Sequence, residues 1–228
     1  MYTVILPAAG TGSRMKLGYN KLFHQVADRT VIEHTVSHFL NDAHCTQIII
    51  VTNAHDQAKM SDLFNSHAHV DLILGGNTRQ ESIYHALEHV KEDVVLVHDG
   101  ARPFINSRII HACYETAKSG LGAITAVPLK DTVKKRQSFQ TALIEKTLNR
   151  ARLVATQTPQ AFPTSVLKMA NARAKQAHTL NEATDDASLV EQYTEIDIKI
   201  IDGDYKNMKF TTSEDIAYFE FLMKKEHG

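Results

Sequence analysis

A glycine-containing segment directly after the first apolar run constrains this chain more than any other feature. The run Thr3–Leu6 predicts a strand, and Pro7-Ala-Ala-Gly-Thr-Gly12 follows it, with Arg14 and Lys21 further on. Glycine lets the backbone turn tightly, and successive N–H groups in such a turn form a concave anion site. Arginine and lysine add mobile positive charge. The segment therefore predicts a strand-to-loop cradle for a triphosphate.

Two better-known glycine loops do not fit this segment. A dinucleotide-binding fold has G-x-G-x-x-G, but Met15 stands three residues after Gly12. A P-loop has G-x-x-x-x-G-K-[ST], and no lysine follows a glycine at that spacing. A plain turn with surface charges is the simpler alternative, and Arg14 and Lys21 weaken it.

Length and composition exclude several classes of protein. The 228 residues fit one α/β domain with a full core, and the net charge of −1 gives no sign of a non-specific grip on nucleic acid or membrane. The chain shows neither a signal peptide nor an apolar run of about 20 residues that would cross a bilayer. Cys45 and Cys113 lie far apart, which predicts two buried, reduced thiols and a cytoplasmic protein. None of the thirteen histidines stands in an H-E-x-x-H zinc motif.

Apolar runs alternate with helical patterns along the chain. Gln47–Thr52 and Asp93–His98 are continuous apolar runs, typical of strands buried on both faces. Helices are predicted between the strands, and their starts carry capping signals. The predicted helices are Val31–Leu40 after the Thr30/Glu33 capping box, residues 79–90 after the Thr78/Glu81 capping box, and a helix from Asn106 to Lys118. This order predicts an α/β fold with a mainly parallel twisted sheet and helices on both faces.

The pattern changes after Pro128. Residues 131–148 are polar and partly alternating, which predicts a protruding hairpin or β-arm. Such an arm cannot bury enough surface alone, so we expect a partner subunit to support it. Beyond the arm, a helix is predicted over 165–175, a strand over 197–202 and a final helix after Thr212.

Further polar motifs follow predicted strands, where open α/β sheets bind ligands. Gly75 and Gly76 would let the backbone approach a flat base, and Ser82 could hydrogen-bond it. Asp99 could bind a metal or a hydroxyl, and Arg102 a phosphate. Each of these motifs is also compatible with an ordinary turn.

Two later motifs complete the set. Thr184 and Asp185 also suit a helix cap. Lys209 is predicted in an apolar-flanked strand between Met208 and Phe210, where burial calls for an anionic partner.

The ordered motifs resemble the 2-C-methyl-D-erythritol 4-phosphate cytidylyltransferases of the non-mevalonate isoprenoid pathway. The motifs are L-P-A-A-G-x-G-x-R-M with Lys21, G-G-x-x-R-x-x-S, V-H-D-G-A-R-P, D-T-V-K, Q-T-P-Q-A-F, T-D-D-A-S and N-x-K-x-T. The first alone marks only the wider nucleotidyltransferase superfamily, and the ordered set, from Val4 to Asp215, is more specific.

The resemblance implies a fold, an activity and partners. The fold is a Rossmann-like nucleotide-diphospho-sugar transferase fold, with residues 1–228 as a single domain and a dimerisation β-arm at about 131–149. The activity is transfer of CMP from CTP to 2-C-methyl-D-erythritol 4-phosphate, with Mg²⁺ as cofactor, in a homodimer joined through the arm.

The resemblance also assigns site residues by motif position. The catalytic set is Arg14, Lys21, Arg150 and Lys209. The nucleotide set is Pro7, Ala8, Ala9, Gly10, Gly12, Gly75, Asn77, Ser82, Asp99 and Gly100. The acceptor set is Asp99, Arg102, Thr132, Arg150, Thr184 and Lys209. The residues do not decide whether Asp99 ligates the metal, so the metal ligands stay open.

Two positions depart from forms frequent in the family. Asn77 stands where an aspartate is frequent, so an amide oxygen replaces an ionised carboxylate. Gly100 replaces a frequent alanine, and a small residue suffices there for close approach to ribose.

The chemistry agrees with the residues independently. Attack of one phosphate on another brings two anions together, which calls for positioning and charge neutralisation by Arg, Lys and Mg²⁺. The chain has no G-x-S-x-G elbow for a nucleophilic serine.

Three alternative functions stay open. A ribitol-5-phosphate cytidylyltransferase would differ only in its acceptor. A non-catalytic nucleotide sensor would not need the acceptor-side charges. A nicotinamide oxidoreductase is disfavoured by the missing third glycine. Such an enzyme would also have an acidic residue at the end of its second strand, where this chain has Asn53.

Overall fold

The computed structural model describes residues 1–10 and 18–227. The strands are β1 (Tyr2–Pro7), β2 (Gln25–Val26), β3 (Arg29–Thr30), β4 (Cys45–Thr52), β5 (Val70–Leu74), β6 (Val94–Val97), β7 (Gly122–Pro128), β8 (Lys134–Arg136), β9 (Ile144–Thr147), β10 (Val154–Pro163) and β11 (Ile198–Asp202). The α-helices are α1 (Val31–Leu40), α2 (Gln57–Phe64), α3 (Arg79–Leu87), α4 (Ser107–Lys118), α5 (Thr164–Gln176), α6 (Asp186–Tyr193) and α7 (Ser213–His227). A 3-10 turn, Lys21–Phe23, precedes β2.

Seven strands form one mixed sheet in the order β11-β7-β10-β6-β1-β4-β5. The pairs β1–β4, β1–β6, β4–β5 and β7–β11 are parallel, whereas β10 runs antiparallel to both β6 and β7. The predicted mainly parallel sheet is therefore confirmed. The carboxyl ends of β1, β4 and β6 lie at the same edge of the sheet, and this edge carries the site described below.

Helices cover both faces of the sheet, because successive side chains of a strand point to opposite faces. Val4, Leu6, Ile48 and Ile50 pack in one core cluster, which includes residues of α1, α2, α4 and α7. Ile5, Ile49 and Val51 pack in the other cluster, with residues of α3, α5 and α6. The expectation of helices on both faces is confirmed.

Helix starts follow their capping residues. Thr30 and Glu33 form the predicted capping box of α1, and Asn106 accepts from the Ile109 N–H at the start of α4. Asp185 caps α6 in a capping box with Ser188, as the sequence allowed. These side chains satisfy N–H groups that have no partner inside the helix.

The capping box predicted for α3 is only half correct. Thr78 accepts from the Glu81 N–H, but the Glu81 carboxylate accepts from the Asn77 N–H and from the Asn181 amide. The helix ends at Leu87, three residues before the predicted end at Val90.

Two other expectations need correction. Lys209 lies in an irregular segment rather than a strand, because its neighbour Phe210 makes a single backbone bond to Ala101 instead of a ladder. Cys113 is buried as expected, whereas Cys45 is only partly buried at the start of β4, and both thiols are free. Burial raises the pKa of the Cys113 thiol to about 11.

The predicted arm is a two-stranded hairpin separate from the main sheet. β8 and β9 pair antiparallel, with Lys134 opposite Thr147. Every residue of both strands is exposed, and Phe139 in the connecting turn is 98% exposed. Within the described chain, no helix is long and apolar enough to cross a membrane.

Candidate active site

A pocket of about 390 Å³ opens at the carboxyl edge of the sheet. The end of β1, the turn before α3, the loop after β6 and the segment before α7 all contribute to its wall. The described lining residues are Pro7, Ala8, Ala9, Gly10, Asn20, Lys21, Leu22, Gly76, Asn77, Thr78, Arg79, Ser82, Asp99, Gly100, Ala101, Lys209 and Thr211. The pocket therefore unites segments that are up to two hundred residues apart in the sequence.

The glycine pair before α3 allows a close approach of backbone segments. A Cβ at Gly75 would lie 2.6 Å from the Ser82 hydroxyl and 3.2 Å from the Cβ of Ala9, so only glycine fits without a shift. The Gly76 N–H donates to the Ser82 hydroxyl at 3.1 Å, which in turn donates to the Thr78 carbonyl at 2.8 Å. Ser82 thereby fixes the turn that forms one wall of the pocket.

Asp99 lies at the centre of a cluster of positive charges. Its carboxylate lies 3.0 Å from the Lys209 ammonium, 3.3 Å from Arg102 Nε and 3.8 Å from Arg79 Nε. Burial acts to raise the pKa of the Asp99 carboxyl, but the charges of Lys209, Arg79 and Arg102 outweigh it and hold that pKa well below its usual range. Asp99 is thus ionised and orients the surrounding cations.

Arg79 connects this cluster to a buried carboxylate. Its Nη2 lies 2.7 Å from Asp186 Oδ2, and the Asp186 side chain is fully buried at the start of α6. Burial raises the pKa of the Asp186 carboxyl, while Arg79 opposes that rise. The pair fixes the guanidinium at the pocket wall.

A directed hydrogen-bond chain holds the loop after β6. The Asp99 N–H donates to Thr158 Oγ1 at 3.0 Å, and that hydroxyl lies 3.1 Å from His98 Nδ1. His98 Nε2 lies 3.1 Å from the Arg102 carbonyl. A carbonyl only accepts, so we assign the proton to Nε2 and the acceptor role to Nδ1. Both ends of the Asp99–Arg102 turn are thereby tied to one buried imidazole.

Lys21 and Lys209 approach the pocket from adjacent segments. Lys21 begins the 3-10 turn Lys21–Phe23, which Asn20 caps by accepting from the Leu22 N–H. The Lys21 ammonium donates to the carbonyl of Phe210, the residue after Lys209. Two ammonium groups thus line the same side of the pocket, a suitable arrangement for binding a polyphosphate.

The sequence matches the family profile of 2-C-methyl-D-erythritol 4-phosphate cytidylyltransferase over residues 2–225, nearly the whole chain. The chain belongs to this family.

Individual cytidylyltransferases of the family agree with this assignment. The chain is 43% identical to 2-C-methyl-D-erythritol 4-phosphate cytidylyltransferase from Bacillus velezensis, over 100% of this chain and 97% of the relative. It is 38% identical to the enzyme of that name from Halalkalibacterium halodurans, over 99% of this chain and 98% of the relative.

Solved structures of the family share the fold. The crystal structure of 4-diphosphocytidyl-2C-methyl-D-erythritol synthase from Anaerococcus prevotii superposes with a TM-score of 0.86 at 28% identity, over 98% of this chain and 96% of that one. The Francisella tularensis 2-C-methyl-D-erythritol 4-phosphate cytidylyltransferase gives 0.81 at 29% identity, over 96% and 98%. The α/β nucleotidyltransferase fold expected from the sequence is thereby confirmed.

The structure brings most of the predicted cytidylyltransferase site together. The predicted residues that line the pocket are Pro7, Ala8, Ala9, Gly10, Lys21, Asn77, Ser82, Asp99, Gly100 and Lys209. Gly75 lies directly behind Ser82, and Arg102 pairs with Asp99. Gly12 and Arg14 lie outside the described residues.

Three predicted residues lie apart from the described pocket lining of this single chain. Thr132 is exposed at the base of the arm, and Arg150 is exposed beside it, donating to the Lys130 carbonyl. Thr184 is exposed next to the α6 cap. Their assignment to the acceptor site stays a prediction.

Sequence reasoning assigned no role to several pocket residues of this cytidylyltransferase family member. Arg79 stood in the G-G-x-x-R-x-x-S motif, and its only signal was an arginine three residues after Gly76. Asn20 and Thr211 carried no signal, because an isolated asparagine or threonine in an irregular segment is common in any chain.

Proposed function

We propose that this chain transfers CMP from CTP to 2-C-methyl-D-erythritol 4-phosphate, giving 4-diphosphocytidyl-2-C-methyl-D-erythritol and pyrophosphate. The proposal rests on one observation: in a member of the cytidylyltransferase family, Lys21, Arg79 and Lys209 line one pocket together with Asp99 and the backbone after β1. Such a pocket suits a nucleoside triphosphate together with a second phosphate.

The reaction consists of one displacement at phosphorus. A phosphate oxygen of the acceptor forms a bond to the CTP α-phosphorus, the bond from that phosphorus to the bridging β-phosphate oxygen breaks, and pyrophosphate leaves with the electron pair. No proton must be removed from an ionised phosphate. The protein therefore needs to align the two anions and neutralise their charge, which lysine and arginine do without a nucleophile.

The nucleotide would lie along the end of β1. Backbone groups from Pro7 to Gly10 would hold the cytidine and the adjoining phosphates, together with Gly12. The turn with Gly75, Asn77 and Ser82 would hold the base. Asp99 and Gly100 face the same space, where a carboxylate can accept from ribose hydroxyls. Together these groups would set the position of the α-phosphorus.

The acceptor would lie next to the triphosphate, toward the segment before α7. Lys21 with Arg14 would neutralise the triphosphate, and Lys209 with Arg150 would hold the acceptor phosphate for its attack. The remaining contacts would come from Asp99, Arg102, Thr132 and Thr184.

Mg²⁺ suits the pocket as a metal carried mainly by the nucleotide. The described chain contains no group of three or more His, Cys, Asp or Glu side chains that could enclose an ion. Asp99 is the one carboxylate among the described lining residues, and it already holds three cations. Mg²⁺ typically combines one or two carboxylates with substrate phosphates, so the phosphates of CTP would supply most of its ligands. The ion would supply neutralisation of phosphate charge.

We further propose that residues 1–228 form one domain that dimerises through the arm, at about 131–149. Phe139, Leu143 and Ile144 expose 98%, 61% and 57% of their surface on this hairpin. A two-stranded hairpin alone cannot bury such apolar side chains away from water. The second copy of the chain is therefore the proposed cover, with Thr132 and Arg150 at the junction.

Sedimentation of the protein tests the arm. The wild-type chain should sediment as a dimer, and a variant with Phe139→Ser, Leu143→Ser and Ile144→Ser should sediment as a monomer. A monomeric wild type would contradict the proposal.

A cytoplasmic location is also proposed, because the free thiols of Cys45 and Cys113 suit a reducing compartment.

Pyrophosphate release tests the activity. Purified protein with CTP and Mg²⁺ is supplied with 2-C-methyl-D-erythritol 4-phosphate or with ribitol 5-phosphate. Release with the first acceptor alone supports the proposal, and release with ribitol 5-phosphate alone would move the enzyme to polyol-phosphate transfer. Release with neither, despite CTP binding in calorimetry, would favour a nucleotide sensor.

A further inference from the structure

We infer that Asn20, Asn53 and Asp56 form a buried polar bridge that positions Lys21 against the nucleotide wall of the pocket. The three residues are positioning residues, and their role in turnover rests on the proposed function. The bridge connects the end of β1, the end of β4 and the turn that begins with Lys21. Nothing in the resemblance of the sequence motifs assigns them a role.

Asn20 makes three hydrogen bonds with three different segments. Its Nδ2 donates to the Ala8 carbonyl at 3.0 Å and to Asp56 Oδ2 at 2.9 Å. Its Oδ1 accepts from the Leu22 N–H at 3.1 Å, which caps the turn Lys21–Phe23. Both amide hydrogens and the amide oxygen are therefore engaged, so the side chain has one orientation.

Asn53 makes the corresponding set of bonds one residue further along the segment after β1. Its Nδ2 donates to the Ala9 carbonyl at 3.1 Å and to Asp56 Oδ2 at 2.7 Å. Its Oδ1 accepts from the Asp56 N–H at 2.9 Å. The two asparagines thus hold consecutive carbonyls of the pocket wall and share one carboxylate oxygen.

Asp56 is the centre of the bridge. Only 7% of its surface is exposed, and the two asparagine amides donate to the same oxygen. A buried carboxylate is costly unless donors compensate for lost water, so each asparagine keeps Asp56 satisfied and Asp56 keeps each asparagine oriented. The three side chains therefore act as a unit, and loss of one loosens the others.

The position of the bridge connects it with the reaction. Ala8, Ala9, Asn20 and Lys21 all line the pocket. Asn20 directly precedes Lys21, and its bonds to the Ala8 carbonyl and to Asp56 hold the start of the Lys21 turn against the backbone wall. A displacement of about 1 Å between reacting groups and their supports costs up to about a hundredfold in rate. The bridge fixes the backbone end of Lys21 against the pocket wall, and the Phe210 carbonyl accepts from its ammonium.

The test compares matched asparagine-to-alanine variants. Asn20→Ala removes the contacts with Ala8, Asp56 and the Lys21 turn. Asn53→Ala removes the contacts with Ala9 and Asp56 and leaves the cap of the Lys21 turn in place. Asn106→Ala is the control, because it removes an equivalent helix cap from α4, away from the pocket. Kinetics are measured by pyrophosphate release, CTP affinity by calorimetry and stability by thermal unfolding.

We expect kcat of Asn20→Ala to fall about tenfold or more, because Lys21 loses its position. Asn53→Ala should mainly raise the KM and the dissociation constant for CTP, about fivefold, because the Ala9 wall loosens while the Lys21 turn keeps its cap. The double variant should lose less than the product of the two single effects, because both act through Asp56. Asn106→Ala should keep kcat and KM within about twofold at a comparable loss of melting temperature.

Three results would overturn the inference: unchanged kinetics and CTP affinity in both bridge variants, equal losses in Asn106→Ala, or fully multiplicative effects in the double variant. Failure of the proposed function gives a different result, since the wild type would then release no pyrophosphate. The bridge would in that case still be tested by CTP affinity, which needs no acceptor.

Discussion

The Lys209 ammonium lies 3.0 Å from the Asp99 carboxylate, joining the segment before α7 to the loop after β6. Asp99 also pairs with Arg102 and Arg79, and Arg79 pairs with Asp186. Among these five groups one positive charge is in excess, since three cations face two carboxylates. Lys209 is also the most exposed of the three cations, with 37% of its side chain open. The excess charge is therefore available to a phosphate at the pocket surface.

Replacement of Lys209 by alanine should impair catalysis more than folding. Loss of one donor aimed at a transferring phosphate costs about 10²-fold to 10³-fold in rate. Asp99 keeps Arg102 and Arg79 as partners, so the melting temperature should change little. Steady-state pyrophosphate release with varied 2-C-methyl-D-erythritol 4-phosphate measures the effect. Lys118→Ala on α4, which breaks an exposed pair with Glu115, is the control and should keep wild-type kinetics. Unchanged kcat and KM in Lys209→Ala would remove this lysine from the site.

Asp186→Asn should destabilise the protein strongly. The change keeps the shape of the buried Asp186 side chain but removes the closest anion from the partly exposed Arg79 guanidinium. Removal of one partner from a buried ion pair typically costs about 3–5 kcal/mol of unfolding free energy. Because Arg79 retains Asp99, we expect about 3 kcal/mol, measured by urea unfolding at pH 7.

The matched control is Glu115→Gln, which breaks an exposed pair and should cost at most about 1 kcal/mol. A cost of Asp186→Asn no greater than that of the control would show that Arg79 does not depend on Asp186.

Features set by near neighbours could be predicted from the sequence. The capping box of Thr30 and Glu33 formed as expected, because both partners lie within one helical turn. The apolar run ending at Thr52 became a strand inside the sheet, between β1 and β5, because its residues are buried on both faces. Alternation of such runs with helices was enough to predict the α/β sheet.

Features set by distant neighbours could not be predicted. Arg79 and Asp186 are 107 residues apart, and nothing local in either segment indicates the other. Lys209 was assigned to a strand because Met208 and Phe210 flank it with apolar side chains. Phe210 is buried among aromatic rings, and its ring centroid lies 5.9 Å from that of Phe219. This packing explains the apolar residues beside Lys209 without a strand. Motif signals indicated ten of the residues that line the pocket, whereas the bridge through Asn20 has no such signal.

The unfolding free energy should fall as the pH is lowered from about 6.5 to about 4, the range in which His98 stays neutral in the folded protein. Burial lowers the pKa of His98 from 6.5 to about 4 in the folded protein. Between these values the unfolded chain binds a proton that the folded chain does not, so unfolding free energy rises with pH. The contribution is fully present above about pH 6.5 and is lost as the pH falls to about 4.

His98→Gln measures that contribution. The unfolding free energy of the wild type should drop between pH 7 and pH 5 by about 2 kcal/mol more than that of His98→Gln, in urea titrations at both values. The comparison between two pH values is independent of any overall loss of stability in the variant. An identical pH dependence in both proteins would contradict a neutral, buried His98.

Asn77→Asp should increase the preference for CTP over UTP. Asn77 lines the pocket and its side chain is exposed to it, while its N–H donates to Glu81 at 2.8 Å. An amide can accept from the amino group of cytosine or, after a flip, donate to the carbonyl of uracil, whereas a carboxylate only accepts.

We therefore expect the ratio of kcat/KM for CTP to that for UTP to rise about tenfold, a difference of about 1.4 kcal/mol. The added negative charge repels both triphosphates equally, so the ratio isolates base recognition. Asn65→Asp, an exposed change after α2, is the matched control and should leave the ratio unchanged. An unchanged ratio in Asn77→Asp as well would place the pyrimidine edge away from this side chain and leave base recognition to the backbone around Gly75.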